Sequence, residues 1–232
     1  MRPGEKDGHD VVVTGGAEHP EPDGEFGAEY WEDRYRRGEP TSLQRPSPSL
    51  VDETGGLSPG QALDAGCGSG ADSIWLASRG WHVTALDVSA TALAHARKTA
   101  RAAGEDIADR IEWVHADLTD WDPGERRFDL VTSHYVHVPG PAEDLFGRLA
   151  SWVAPGGTLL VVGHDGHAHP RGSQVFTEQV TAGLPEDQWE VVVAESRTQT
   201  VRHLADESVV TLHDAVVHAR RKGPSRLGPA AD

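Results

Sequence analysis

The stretch "ALDAGCGSGADSIWLASRGW", residues 62–81, constrains this chain more than any other. A short apolar run ends in three glycines at alternate positions, Gly66, Gly68 and Gly70, and a helical pattern follows at once. Glycine at such a junction lets the backbone turn sharply and approach a ligand closely. The helix that follows aims its unpaired N–H groups and its positive dipole end at the loop, so an anionic or polar ligand group belongs there.

The rest of the chain repeats the alternation. "QALDAG", "WHVTALD", "RIEWVHAD", "RFDLVTSH" and "GGTLLVVGHD" read as strands. Between them, "ADSIWLASRG" reads as a helix stopped by Gly80. "SATALAHARKTARAAG" reads as a long helix capped by Ser89 and ended by Gly104, and "PAEDLFGRLASWV" as a helix with Pro141 near its start. Ahead of them, "GAEYWEDRYRRG" and "SPSLVDETGGL" read as short helices. "WEVVVAES" and "SVVTLHDAVVHARR" read as two late extended segments. Strands alternating with helices imply βαβ units. Two final strands with no long helix between them imply a hairpin-like pairing. The expected fold is therefore one Rossmann-like α/β domain over residues 27–221, with helices on both faces of a seven-stranded, mostly parallel sheet that has one antiparallel strand. Residues 1–26, rich in Gly, Pro and acids, read as a disordered leader whose "VVV" is too isolated to be a strand; residues 222–232 read as a flexible tail.

The glycine loop alone is ambiguous. Gly66 to Ala71 satisfies G-x-G-x-x-A, the dinucleotide fingerprint, and Asp87 ends the second strand where an acid would take a ribose diol. A nicotinamide-dependent oxidoreductase fits that much. Two further acids shift the balance. Asp64 makes the motif D-x-G-x-G-x-G, and a carboxylate there suits a cation and repels a pyrophosphate. Asp117 ends the third strand in "VHADLTDW", where it can accept a hydrogen bond from a purine amino group. Acids at three successive strand ends suit a ligand with an ammonium, a ribose diol and an aminopurine, bound where open α/β sheets hold ligands.

In order, "LDAGCGSG", "VTALDVS", "WVHADLTDW", "FDLVTSHYVHV" and "VAPGGTLLVVG" resemble the class I S-adenosylmethionine-dependent methyltransferases. "YWEDRYRRG", "WLASRGWHVTALDVS" and "FTEQVTAGLPEDQWEVVVAE" are similar, within that family, to the tellurite-resistance and thiopurine-type small-molecule enzymes. The resemblance implies S-adenosylmethionine as cofactor. It implies that Ala65, Gly66, Cys67 and Gly68 hold the methionyl end and that Asp64 faces its ammonium. By the same resemblance Asp87 takes the ribose, Val88 lies beside the adenine, Asp117 and Leu118 take the adenine edge, and Ser133 sits near the methionyl part. Trp31, Arg34 and Tyr35 would fold a short helix over the cofactor, or serve ordinary packing.

The acceptor is expected near "SHYVHV", residues 133–138. His134 is the first candidate for a base or substrate hydrogen-bonder, because an imidazole titrates near neutral pH; Tyr135 and His137 are alternatives. All three could equally shape the pocket without moving a proton. A second cluster follows the fifth strand in "GHDGHAHP", with His164, Asp165, His167 and His169; together with His134 and His137 these could converge on one rim of the kind zinc or iron accepts. Its spacing matches no compact metal motif, so no metal is expected and the loop is read as a border of the acceptor pocket. Cys67 is read as a small packing residue rather than a nucleophile.

Composition narrows the partners. A formal net charge of −16, with scattered arginines, argues against nucleic acid. No apolar run of about eighteen residues offers a membrane span, and the N-terminus has no apolar signal core. A single cysteine permits no internal disulfide and fits a reducing, cytoplasmic compartment. The expected function is methyl transfer from S-adenosylmethionine to a small-molecule acceptor, whether O, N, S or a chalcogen, by in-line displacement. The alternatives are the oxidoreductase and a non-catalytic cofactor-binding relative. Oligomeric state and acceptor identity stay open.

Overall fold

The structure, a computed structural model, describes residues 27–38, 45–165, 175, 177–202 and 209–223. The expected leader, its "VVV" segment, His167, His169 and residues 224–232 of the expected tail lie outside the described residues.

The chain begins with α1 (Ala28–Arg36) and α2 (Pro48–Thr54). The βα alternation follows as β1 (Gln61–Ala65), α3 (Ala71–Ser78), β2 (His82–Asp87), α4 (Ala90–Ala103), α5 (Glu105–Ala108), β3 (Ile111–His115), β4 (Phe128–His134), α6 (Ala142–Trp152) and β5 (Val153–His164). It closes with α7 (Thr177–Ala182), β6 (Trp189–Arg202) and β7 (Val209–Arg221). The strands form one seven-stranded sheet in the order β3-β2-β1-β4-β5-β7-β6. The pairs from β3 through β5 are parallel. β7 runs antiparallel to both β5 and β6, so it is the one reversed strand.

Local chemistry accounts for the helix boundaries. Ser89 caps α4 by accepting the Ala92 N–H at 3.0 Å, and Gly104 ends it at φ 149°. Ala92, Leu93, Ala96 and Ala100 recur at helical spacing and are buried, so small side chains let α4 lie close to its neighbours. α6 starts after Pro141 and buries Leu145, Phe146, Leu149, Ala150 and Trp152.

Two helices were not anticipated. α5 spans four residues and α7 six, too short for a 3.6-residue period to declare itself. α7 is held by burial of Val180, with Leu184 buried just past its end. β6 also runs on to Arg202, past the expected "WEVVVAES", because pairing with β7 continues from Thr198 to Arg202.

Strand alternation divides the core. Leu63, Ala65, Val131, Leu159, Val161, Val217 and Ala219 face α6 and α7. Ala62, Val83, Ala85, Leu130, Leu160, Val162 and Val216 pack toward α2 and α3 on the other face. The helix after β1 therefore lies on one face and the helix after β4 on the other. The crevice opened by that divergence, at the C-terminal ends of β1 and β4, is where this architecture binds ligands.

Candidate active site

The glycine loop folds back on β2: the N–H groups of Gly66 and Cys67 both donate to the Leu86 carbonyl, at 2.8 and 2.9 Å. Gly68 has φ 52°, and a Cβ there would stand 2.5 Å from the Tyr35 hydroxyl, which rests on the loop. Gly70 has φ 81°, and a Cβ would meet Trp113 and Ala96, both at 2.8 Å. One glycine thus makes room above the loop and the other below it.

Asp87 stands beside this loop. Its Oδ2 accepts the Gly68 N–H at 2.8 Å and its Oδ1 accepts the Ser89 N–H at 2.8 Å. Burial raises its pKa above the ordinary carboxylate value against those two bonds. Asp64, 2 % exposed at the end of β1, accepts the Ser73 hydroxyl at 2.5 Å. Burial first, then the neighbouring charge of Asp72, pushes its carboxyl up to about 7. A carboxylate so placed gains greatly from an incoming cation. Asp117 commits Oδ1 to its own turn, accepting the Thr119 N–H at 2.8 Å and hydroxyl at 2.7 Å. Leu118 turns its side chain into the core beside α6, so any purine contact there falls to its backbone. Val88 lies just past Asp87, and its carbonyl faces His115 Nε2 at 3.0 Å. Ser133 is buried near the end of β4, the strand beside β1. Cys67 carries a thiol whose pKa burial and the nearby acids raise, which keeps it protonated.

The structure reassigns His134. Its Nδ1 lies 2.5 Å from Asp72 Oδ2 and its Nε2 lies 2.8 Å from Thr132 Oγ1, with the side chain only 7 % exposed. Burial favours the neutral ring, but Asp72 and Asp64 outweigh it and raise the pKa. Both ring nitrogens are engaged, so His134 does not offer the outward-facing base that the sequence suggested. Asp72 also accepts the Ser47 N–H at 2.7 Å, joining the entry to α2 to this buried pair. Tyr135 is corrected as a base too: burial and a hydrogen bond to Asp214 raise its pKa, leaving the hydroxyl a donor.

The groups that remain on the acceptor side form a column of rings. Tyr135 and His164 lie 5.0 Å apart, His164 and His137 stack at 6.2 Å, and His137 and Trp31 stack at 5.8 Å. Trp31 Nε1 donates to the His137 carbonyl at 3.4 Å, and Arg34 lies over the Trp31 ring at 5.8 Å. Tyr135 is the one described non-glycine residue at positive φ, 53°, a conformation that costs energy and clusters at functional sites.

Sequence reasoning missed Asp72, Thr132, Asp214 and Glu32. Asp72 is an acid in the first turn of α3, a common position that carries no signal of its own. Asp214 had a visible signal, a lone acid inside the apolar run of β7, and it is 1 % exposed. Among the described residues, no group of three or more His, Cys, Asp or Glu side chains is arranged to hold a metal.

This glycine loop, with acids at three successive strand ends, lies within a segment matched by a family model. The model, described as a methyltransferase domain, covers residues 62–157. A probable thiol methyltransferase of Arabidopsis thaliana is 29% identical over 204 residues, covering 85% of this chain and 82% of its own. These matches support a class I S-adenosylmethionine-dependent methyltransferase. A solved structure concerned with conversion of a disulfide bond into a thioacetal group during echinomycin biosynthesis is 25% identical. It has a TM-score of 0.66 and is matched over 86% of this chain and 94% of its own. The fold is shared as well by the N-methyltransferase NodS from Bradyrhizobium japonicum, solved with S-adenosyl-L-homocysteine, at 18% identity and a TM-score of 0.64 over 84% of this chain and 97% of that one. S-adenosylmethionine is the methyl donor of this methyltransferase, and the nicotinamide alternative falls. The Asp64 carboxylate and the backbone of the glycine loop fit the cationic, hydrogen-bonding methionyl end. Asp87 fits the ribose diol.

Proposed function

We propose that this methyltransferase transfers the methyl group of S-adenosylmethionine to a sulfur nucleophile on a small molecule. The observation that carries the reading is the ring column Tyr135–His164–His137–Trp31 on the β4–β5 side of the glycine loop. Polarisable rings suit a soft thiol, and a neutral imidazole can accept a thiol proton. Thiol and disulfide chemistry named for two relatives supports the same class.

The donor supplies an activated methyl group, and the chain's own residues position it. Asp64 faces the ammonium, Asp87 the ribose hydroxyls, and Val88, Asp117 and the Leu118 backbone border the adenine. Ser133, Ala65, Gly66, Cys67 and Gly68 line the methionyl part. His137 would accept the proton of the acceptor thiol, leaving its sulfur to face the activated methyl group that the donor would supply. Tyr135, its hydroxyl held by Asp214, presents its ring to the column. No described helix is long and apolar enough to cross a membrane, and the lone cysteine supports a reducing, cytoplasmic setting.

The test is a panel of small thiols, amines, hydroxyl compounds and chalcogen oxyanions incubated with methyl-labelled donor. Label appearing in thioether products is the expected result. Label in amine or ether products alone refutes the sulfur assignment. Tight S-adenosylhomocysteine binding without transfer to any member favours the non-catalytic alternative.

A further inference from the structure

Glu32 precedes Tyr35 by three residues on α1, and helix positions three and four apart share a face. Its carboxylate reaches across to α4. Oε2 accepts the Ser89 hydroxyl at 2.7 Å and the Thr91 N–H at 3.2 Å, and Oε1 accepts the Thr91 hydroxyl at 2.6 Å. The Thr91 hydroxyl above all, then the Ser89 hydroxyl and the Thr91 N–H, hold its carboxyl down at about 2, so it is ionised at every working pH. An ionised carboxylate at the start of α4 also meets the positive end of that helix.

The turn Glu32 grips is the one that carries Asp87. Asp87 accepts the Ser89 N–H at 2.8 Å, and the Gly68 N–H reaches its other oxygen at 2.8 Å. The Val88 carbonyl is met by His115 at 3.0 Å, and the Ser89 hydroxyl serves both Glu32 and the Ala92 N–H. Asp87, Val88 and Ser89 are therefore each braced from a different element. α1 itself buries no residue fully, so polar bonds carry much of its docking. α1 also places the Tyr35 hydroxyl over Gly68 and Trp31 against His137.

We propose that Glu32 is a positioning residue for the methyl donor. Its grip on Ser89 and Thr91 holds α1 closed over the glycine loop and keeps the Asp87–Ser89 turn set for the adenosyl group. The proposal rests on the donor assignment and adds to it a coupling between α1 and the ribose carboxylate. When a binding-competent state is only partly populated, apparent affinity falls by that fraction. Loss of the grip thus weakens the donor without touching a group that contacts it.

The experiment measures S-adenosylhomocysteine by calorimetry and its release by stopped flow in wild type, Glu32→Ala, Glu32→Gln, Thr91→Val and the Glu32→Ala/Thr91→Val double variant. Glu32→Ala should bind about tenfold more weakly and release faster, with the melting temperature of the ligand-free protein changed by only a few degrees. Glu32→Gln, whose carbonyl still accepts a hydroxyl, should fall between. Thr91→Val should weaken binding a few-fold in the wild-type background and have no effect beside Glu32→Ala. Wild-type affinity in a folded Glu32→Ala, or an equal Thr91→Val effect in both backgrounds, overturns the latch. If Glu32→Ala does not fold, a Glu32→Gln/Thr91→Val cycle decides, and additive losses overturn the proposal. Failure of wild type to bind S-adenosylhomocysteine overturns the donor assignment and the latch together; binding with unaltered variants overturns the latch alone.

Discussion

Asp64→Asn separates what the site costs the fold from what it gives the cofactor. Asp64 is buried beside Asp72, and its carboxyl titrates at about 7 instead of 3.8. Each pH unit of that gap is worth 1.36 kcal/mol, so ionising Asp64 with no cation beside it costs the fold about 4 kcal/mol at pH 8. The sign follows from proton counting. Between pH 4 and 7 the unfolded chain has lost this proton and the folded protein keeps it. Stability from this group is therefore whole below pH 4 and declines as pH rises through 7. The amide of Asp64→Asn keeps an oxygen to accept the Ser73 hydroxyl and has no charge to bury. The variant should lose that decline and, by pH 8, melt several degrees above wild type, at about 2–4 °C per kcal/mol for a domain of this size. Cofactor binding should move the other way. An ammonium beside Asp64 favours the carboxylate, so wild type should release up to one proton on binding S-adenosylhomocysteine at pH 6. Its affinity should rise with pH, up to tenfold per unit, and level off above 7. Calorimetry in buffers of differing ionisation enthalpy reads that proton. The amide variant should show neither the proton release nor the pH dependence, and should bind weakly. A wild-type affinity flat from pH 5.5 to 8.5 refutes the reasoning.

Other expectations follow from the same contacts. His134→Asn should lower the melting temperature more than it lowers donor affinity. The deficit should be larger at pH 6 than at pH 9, since a raised histidine pKa stabilises below about 6.5 and the benefit is lost as pH rises through the folded value. His137→Asn should lower turnover on the order of 10²-fold with S-adenosylhomocysteine affinity within a few-fold; unchanged turnover removes His137 as the base. Gly70→Ala must adopt φ 81° and press on Trp113 and Ala96, and should cost about 2–4 kcal/mol by denaturant unfolding. Glu53→Ala removes the acceptor shared by His218 at 2.8 Å and Arg197 at 2.5 Å, and should cost about 3 kcal/mol.

Much of the architecture was legible before any coordinates. Glycines 66, 68 and 70 between an apolar run and a helical period dictate a β–loop–α unit, and the repeats of that alternation dictate a parallel sheet. The late pair of strands announced the reversed β7. Ser89 announced its cap. What stayed hidden was short or depended on distance in space. α5 and α7 lack the length to show a period. Glu32 meets Ser89 and Thr91 across 57 and 59 residues, and His134 meets Asp72 across 62.

The sequence by itself singled out the candidate donor side, because the glycine loop and the strand-end acids sit at fixed offsets that one-dimensional order encodes. Tertiary structure alone decided the acceptor side. Whether a histidine after β4 faces a substrate or a buried carboxylate depends on which side chains the sheet brings beside it. Asp72 draws His134 inward, Asp214 holds the Tyr135 hydroxyl, and α1 lays Trp31 on His137. Such pairings join residues far apart in the chain, and no local pattern of residues specifies them.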